Sequence, residues 1–230
     1  MRVWPGAERR MSLRRLWVLG VLLCPGCARL DPGVQRVSPA LVVPDAIEVM
    51  SPLLAERMAY LADRSRIWRA GMDSLAASGF RVVVAEPEQA RERVAGLGAY
   101  TPEHVGEVLA VWDEQGRIVG AVVTVDVAKL RELYELTDLS EETFLADVDR
   151  ILIHEIYGHV VPLAASRQIS GGCPDPGPGE PALASCAIER ENAIRAELGL
   201  EPRTSYDLRG LAVGRALASG AARDRKPAGR

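Results

Sequence analysis

Two of the three histidines in this chain stand five apart, in a run that reads His154-Glu155-Ile156-Tyr157-Gly158-His159. Imidazole nitrogens are good zinc ligands, and a neighbouring carboxylate can take a proton from the water that the metal activates. These residue types are therefore the parts of a metal-dependent hydrolytic site. The spacing is the difficulty. In a regular α-helix, at about 100° per residue, side chains four apart lie about 40° from each other and side chains five apart about 140°. Two histidines at the larger angle do not reach one ion. The spacing works if the helix carries one extra residue as a π-bulge, a distortion found mostly at functional sites, and Gly158 makes that sterically easy. The competing reading is a pair of satisfied core histidines.

The run resembles the His-Glu-x-x-Gly-His signature of the dipeptidyl-peptidase-III-type zinc peptidases, whose active-site helix tolerates that insertion. Chance alone would give this pattern on the order of a few times in a thousand. Zinc sites of this class need a third protein ligand, often from a second helix packed on the first. Downstream, Glu191-Asn192-Ala193-Ile194-Arg195-Ala196-Glu197-Leu198-Gly199-Leu200, followed by Arg203-Thr204-Ser205-Tyr206, is similar to a segment of zinc peptidase domains in bacterial effectors and toxins. There the Glu before Asn is the natural third ligand. The resemblance implies a Zn2+ site of His154, His159 and Glu191, with Glu155 as the base. The same stretch resembles, more loosely, the Glu-Glu-x-Arg-Ala-Glu ligand helix of the dipeptidyl-peptidase-III type, and Glu189 is the second choice.

Other residues are expected to support that site. Asn192, the only Asn in the protein, either orients the ligand sphere or is a solvated surface residue. Arg195, one turn after Glu191, either fixes its carboxylate or forms a surface pair. Tyr206 and Tyr157 are the candidate donors to the oxyanion of a tetrahedral intermediate. Asp149 either orients a histidine or lies on the exposed side of its helix.

The elements that must hold these residues follow from hydropathy patterning. Apolar residues recur at helical spacing from Asp45 to about Gly79, as one long helix or two shorter ones. Phe80 to Ala85 reads as a strand, and Pro87 to Arg93 as a short helix closed by Gly98. Val108 to Trp112 and Ile118 to Val125, joined by a turn at Asp113-Glu114-Gln115-Gly116, read as a hairpin. Ser140 caps a helix with Glu141 and Glu142 in its first turn, running to His159. After a Gly/Pro-rich segment at 170–181, a second helix runs from about Leu183 to Leu198 and ends at Gly199. The expected fold is α+β: a minimal zincin-like domain at 45–213, with a short antiparallel sheet and two metal-bearing helices. The tail from Gly214, small-residue and Arg-rich, is expected to fray.

At the amino terminus, Arg14 and Arg15 precede the apolar run Leu16 to Leu23 and the exit Cys24-Pro25-Gly26-Cys27-Ala28. That is the layout of an export signal over residues 1–27, from either Met1 or Met11, and the run is well short of the roughly 20 residues of a membrane span. The Gly26-Cys27 junction resembles a bacterial lipobox, with Cys24 where Leu is usual, which implies lipidation of Cys27. Residues 28–44 hold three prolines and read as a tether. Cys173 and Cys186 then remain, and an even pair in an exported protein favours a disulfide between them. Such a bridge across the loop joining the two metal helices contributes about 3 kcal/mol in the chain-entropy model.

Composition narrows the partners. The 230 residues are 48% hydrophobic and 26% charged, as in a globular domain. With 28 basic against 31 acidic side chains there is no excess of positive charge to hold a nucleic acid, and removing 1–27 leaves 23 against 30. The expected partners are a peptide or protein substrate and a membrane through the lipid anchor, with no nucleic acid. The expected location is the bacterial cell envelope, lipid-anchored or periplasmic or secreted. Two other classes compete: a non-catalytic envelope lipoprotein with a structural metal or none, and a secreted effector or toxin peptidase.

Overall fold

The computed structural model describes residues 34–37, 46–94, 104–168, 186–204 and 208–219. The export signal, Cys27, Cys173, Tyr206 and most of the expected tether lie outside them. Five strands, β1 (Val34–Val37), β2 (Ile47–Val49), β3 (Arg81–Ala85), β4 (Gly106–Trp112) and β5 (Ile118–Val125), form one sheet in the order β1-β4-β5-β3-β2. The expected hairpin is present: β4 and β5 pair antiparallel. Its turn is closed by Asp113, whose carboxylate accepts from the backbone N–H groups of Gln115 and Arg117 at 3.0 and 2.8 Å, and by Gly116 at φ +75°.

The other three pairings, β1 with β4, β3 with β5 and β2 with β3, are parallel. The protein is thus a helix and strand mixture, as expected, but its sheet is mixed rather than antiparallel. Two helices lie between β2 and β3, α1 (Pro52–Arg64) and α2 (Arg66–Ala77). A connection of that length lets the chain re-enter the sheet in the same direction. Two edge strands also sit where the sequence suggested otherwise. β2 occupies the start of the stretch read as helix, because Pro52 sets the first helical position. β1 lies inside the expected tether, paired with β4 from Val34 opposite Val108 to Val37 opposite Val111.

Successive strand residues serve two cores. Val82, Val84, Val108, Ala110, Ala121 and Val123 join the main helical layer. Val83, Ala85, Leu109, Val111 and Val122 face the other side, with Ala90 of α3 (Pro87–Arg93). Burial on both faces explains why β3 reads Val-Val-Val without alternation.

The helical layer is built around one rod, made of α5 (Glu141–Leu152), a π-helical segment (Ile153–Val160) and α6 (Val161–Ser166). Helix α4 (Val127–Glu135) precedes it and was not anticipated. Its signal was Asp126, whose side chain accepts from Lys129 N–H at 2.8 Å, followed by Val127, Leu130 and Tyr134 on one buried face. Helix α7 (Cys186–Glu197) packs on the rod, as the second helix was expected to. Its last residue, Glu197, accepts from Ser65 Oγ at 2.6 Å and from Ile67 N–H at 3.1 Å, docking α7 at the junction of α1 and α2.

Of the residues expected to fray, Gly214 to Ala218 belong to α8 (Ala212–Ala218). Fully buried Asp147 of α5 holds that helix, accepting from the N–H groups of Ala212 and Val213 at 2.9 and 3.0 Å and from Tyr134 Oη at 2.7 Å, beside Arg150. A small-residue sequence is thus ordered by a tertiary cap. Among the described residues no helix is long and apolar enough to cross a membrane.

Candidate metal centre

The rod starts at Ser140, whose hydroxyl accepts from Thr143 N–H at 3.2 Å, and runs as an ordinary α-helix to Leu152. From Ile153 to Val160 it is π-helical, and Val161 N–H donates to Ile156 O, five residues back. Bonding at that interval turns residues five apart onto nearly one face. His154 and His159 accordingly converge, with Nε2 atoms 3.3 Å apart and ring planes at 90°. The expected bulge is present, as a segment of eight residues.

Local sequence favours this distortion. In an α-helix the Gly158 carbonyl would accept from the N–H of residue 162, but Pro162 has none. That carbonyl accepts instead from Arg190 Nη1 of α7 at 3.3 Å. Gly158 also lets α7 come close: a Cβ there would stand 3.3 Å from both Ala187 Cβ and Ala187 O.

Glu155 completes the cluster. One carboxylate oxygen and one nitrogen from each of His154 and His159 all lie within 4.8 Å of one another, and all three residues are buried. The Glu155 side chain lies against Gly106, the first residue of β4, where a Cβ would stand 2.7 Å from Glu155 Oε1. Burial holds the His159 imidazole well below its ordinary pKa, and His154, Arg203 and Arg190 nearby push it the same way. His159 is therefore neutral, the form that binds a metal.

This donor set is of the kind that can hold a divalent metal ion. Two ligand nitrogens around a tetrahedral ion, each bonded at about 2.0–2.1 Å, stand about 3.3 Å apart. The same 3.3 Å is hydrogen-bond distance between the two rings, and with Glu155 they form a group that could hold a metal ion.

Glu191 is placed differently from the expectation. It is fully buried on α7, but it is not in the cluster with His154, Glu155 and His159. Its Oε2 accepts from His154 Nδ1–H at 2.9 Å and from Arg203 Nη1 at 3.0 Å, and its Oε1 accepts from Arg195 Nη1 at 2.6 Å. It thus meets His154 on the ring nitrogen that faces away from His159. Burial pushes its carboxyl up, but His154, Arg203 and Arg195 outweigh that and bring it down to about 2.

Arg195 and Asn192 both serve this arrangement rather than the surface. Arg195 Nε also donates to Glu201 O at 2.7 Å. Asn192 grips Arg203 from both sides, its Nδ2 donating to Arg203 O at 3.0 Å and its Oδ1 accepting from Arg203 N–H at 2.6 Å. Together they fold the chain after Gly199 back over α7, which brings the Arg203 guanidinium to Glu191. The sequence reading gave Arg203 no role. Its only trace was its place in the short string after the second helix.

Asp149 is buried rather than exposed, and it turns to Arg57 of α1, which donates from Nε and Nη2 to its two oxygens at 2.8 and 2.6 Å. It therefore orients no histidine of the cluster. The Tyr157 ring lies against Gly71 of α2, where a Cβ would stand 2.8 Å from it. One edge of the Tyr157 ring thus packs on α2. Cys186 opens α7, while Cys173, and with it the expected bridge, lies outside the described residues, as do Tyr206 and Cys27. No protein-family model, curated protein or solved structure matches the chain.

Proposed function

We propose that this chain is a zinc-dependent peptidase of the bacterial envelope, exported by residues 1–27 and anchored through Cys27. The observation that carries the reading is the π-helical turn, which aims two imidazole nitrogens at one point with a carboxylate beside them. Buried Glu155 beside them is the candidate base that a hydrolytic site needs.

His154 and His159 would supply two of the ligands of the ion. Zinc at such a site polarises a scissile carbonyl and makes water a nucleophile near neutral pH. Glu155 takes the proton from the attacking water and delivers it to the leaving amine, which separates the products. The backbone of β4 at Gly106 fixes the height of that carboxylate. Peptide bonds are the substrate class, on the resemblance of the His-Glu-x-x-Gly-His run.

Elemental analysis and hydrolysis of a peptide library test this together. The purified protein should hold about one zinc per chain, lost in His154→Ala and His159→Ala. Glu155→Gln should keep the zinc and hydrolyse nothing. A folded wild-type protein without zinc refutes the reading, and so does a Glu155→Gln protein as active as wild type. An inactive wild-type protein that holds zinc supports the non-catalytic lipoprotein instead.

A further inference from the structure

We propose that Glu191 is a positioning residue that fixes the tautomer and orientation of His154, and not a ligand of the ion. This inference rests on the zinc reading of the site. A carboxylate has room for several donors, and those of Glu191 are accounted for: Arg195 on Oε1, Arg203 and His154 on Oε2. It is the acceptor for His154 Nδ1, which leaves Nε2 as the nitrogen of that ring available to an ion. That is the nitrogen 3.3 Å from His159 Nε2. The two nitrogens of one imidazole point to opposite sides of the ring, so an ion between the Nε2 atoms lies across the ring from Glu191.

The rest of the constellation serves the same end. Arg195 and Arg203 hold Glu191 from both oxygens, and Asn192 locks the backbone of Arg203. A carboxylate held this firmly sets the angle of the ring that leans on it. Carboxylates behind ligand histidines in this way typically strengthen metal affinity 10- to 100-fold. The string from Glu191 to Arg203 therefore aims one histidine, a task different from donating an oxygen to the ion.

The test compares wild type with Glu191→Gln in the purified protein. The readouts are zinc affinity against a chelating dye, the visible spectrum with cobalt in place of zinc, and nitrogen-15 spectra of the histidines. With only three histidines in the chain, the His154 signals are assignable from His154→Ala. The expected result is one ion per chain in both proteins, the same cobalt spectrum, affinity about 10- to 100-fold lower in Glu191→Gln, and a protonated Nδ1 on wild-type His154. Loss of the ion or a changed cobalt spectrum in Glu191→Gln would show Glu191 to be a ligand. Unchanged affinity would remove its positioning role.

Should Glu191→Gln fail to fold, Asn192→Ala releases Arg203 while leaving Glu191 in place. It should lower affinity toward the small end of the same range with the spectrum unchanged, and no change overturns the proposal. A wild-type protein that binds neither metal defeats the zinc reading and this inference together, whereas the other adverse outcomes defeat this inference alone.

Discussion

Gly106 leaves no space between β4 and Glu155: a Cβ on residue 106 would stand 2.7 Å from Glu155 Oε1 and 2.7 Å from Ile151 Cγ2. A strand glycine here is therefore a spacer that lets the sheet approach the rod at the carboxylate. Gly106→Ala should displace Glu155 while leaving both histidines in place. A misplacement near 1 Å costs on the order of 100-fold in rate. We expect kcat to fall by about that factor with zinc content unchanged, read from steady-state hydrolysis beside elemental analysis. Wild-type turnover in the variant would mean that the height of Glu155 is not critical.

The π-helical segment depends on a missing donor. Pro162→Ala supplies an N–H that can bond the Gly158 carbonyl in the α-helical register, in competition with the bond from Arg190. Regular winding separates the two histidines by about 140°. The variant should therefore bind zinc more weakly than wild type while its thermal stability holds or rises. Chelator competition and thermal unfolding on one sample check both parts.

Arg57 and Asp149 join α1 to α5 through a buried, two-pronged ion pair. Removing one partner leaves the other charge buried, which typically costs about 3–5 kcal/mol. Asp149→Ala should lose stability of that order in urea unfolding. The double variant Arg57→Met with Asp149→Leu should recover most of it. Burial pushes the Asp149 carboxyl up despite Arg57, so on the carboxylate side the attraction does not fully offset the desolvation.

Zinc should act on stability as any ligand of the native state does. At a free concentration about 100 times Kd the linkage amounts to about 2.7 kcal/mol. For a domain of this size that corresponds to a rise in Tm of about 5–10 °C. Chelator should reverse the shift, and His159→Ala should abolish it. A shift that persists in His159→Ala would place the ion elsewhere.

Much of the site was legible because its signals are local. The five-residue histidine spacing needed an irregular helix if the two rings were to converge, and Gly158 allowed one. The hairpin followed from alternation and an Asp-to-Gly turn, and α5 from Ser140 and the acids after it. Where the sequence misled, the deciding partner was distant. Val34 to Val37 became a strand because β4, more than seventy residues later, offered it an edge. The start of the tail formed α8 because Asp147 capped it, and Asp149 turned inward to an arginine 92 positions away.

By itself, then, the sequence picked out the residues that could carry chemistry and showed that only an irregular helix would bring them together, because side-chain type and helical angle are properties of a few consecutive positions. Only the tertiary structure decided that Glu191 meets His154 on the nitrogen facing away from His159. A carboxylate one helix away can approach either side of an imidazole. The choice depends on how α7 docks against Gly158 and on where Arg195, Arg203 and Asn192 hold the chain that follows it.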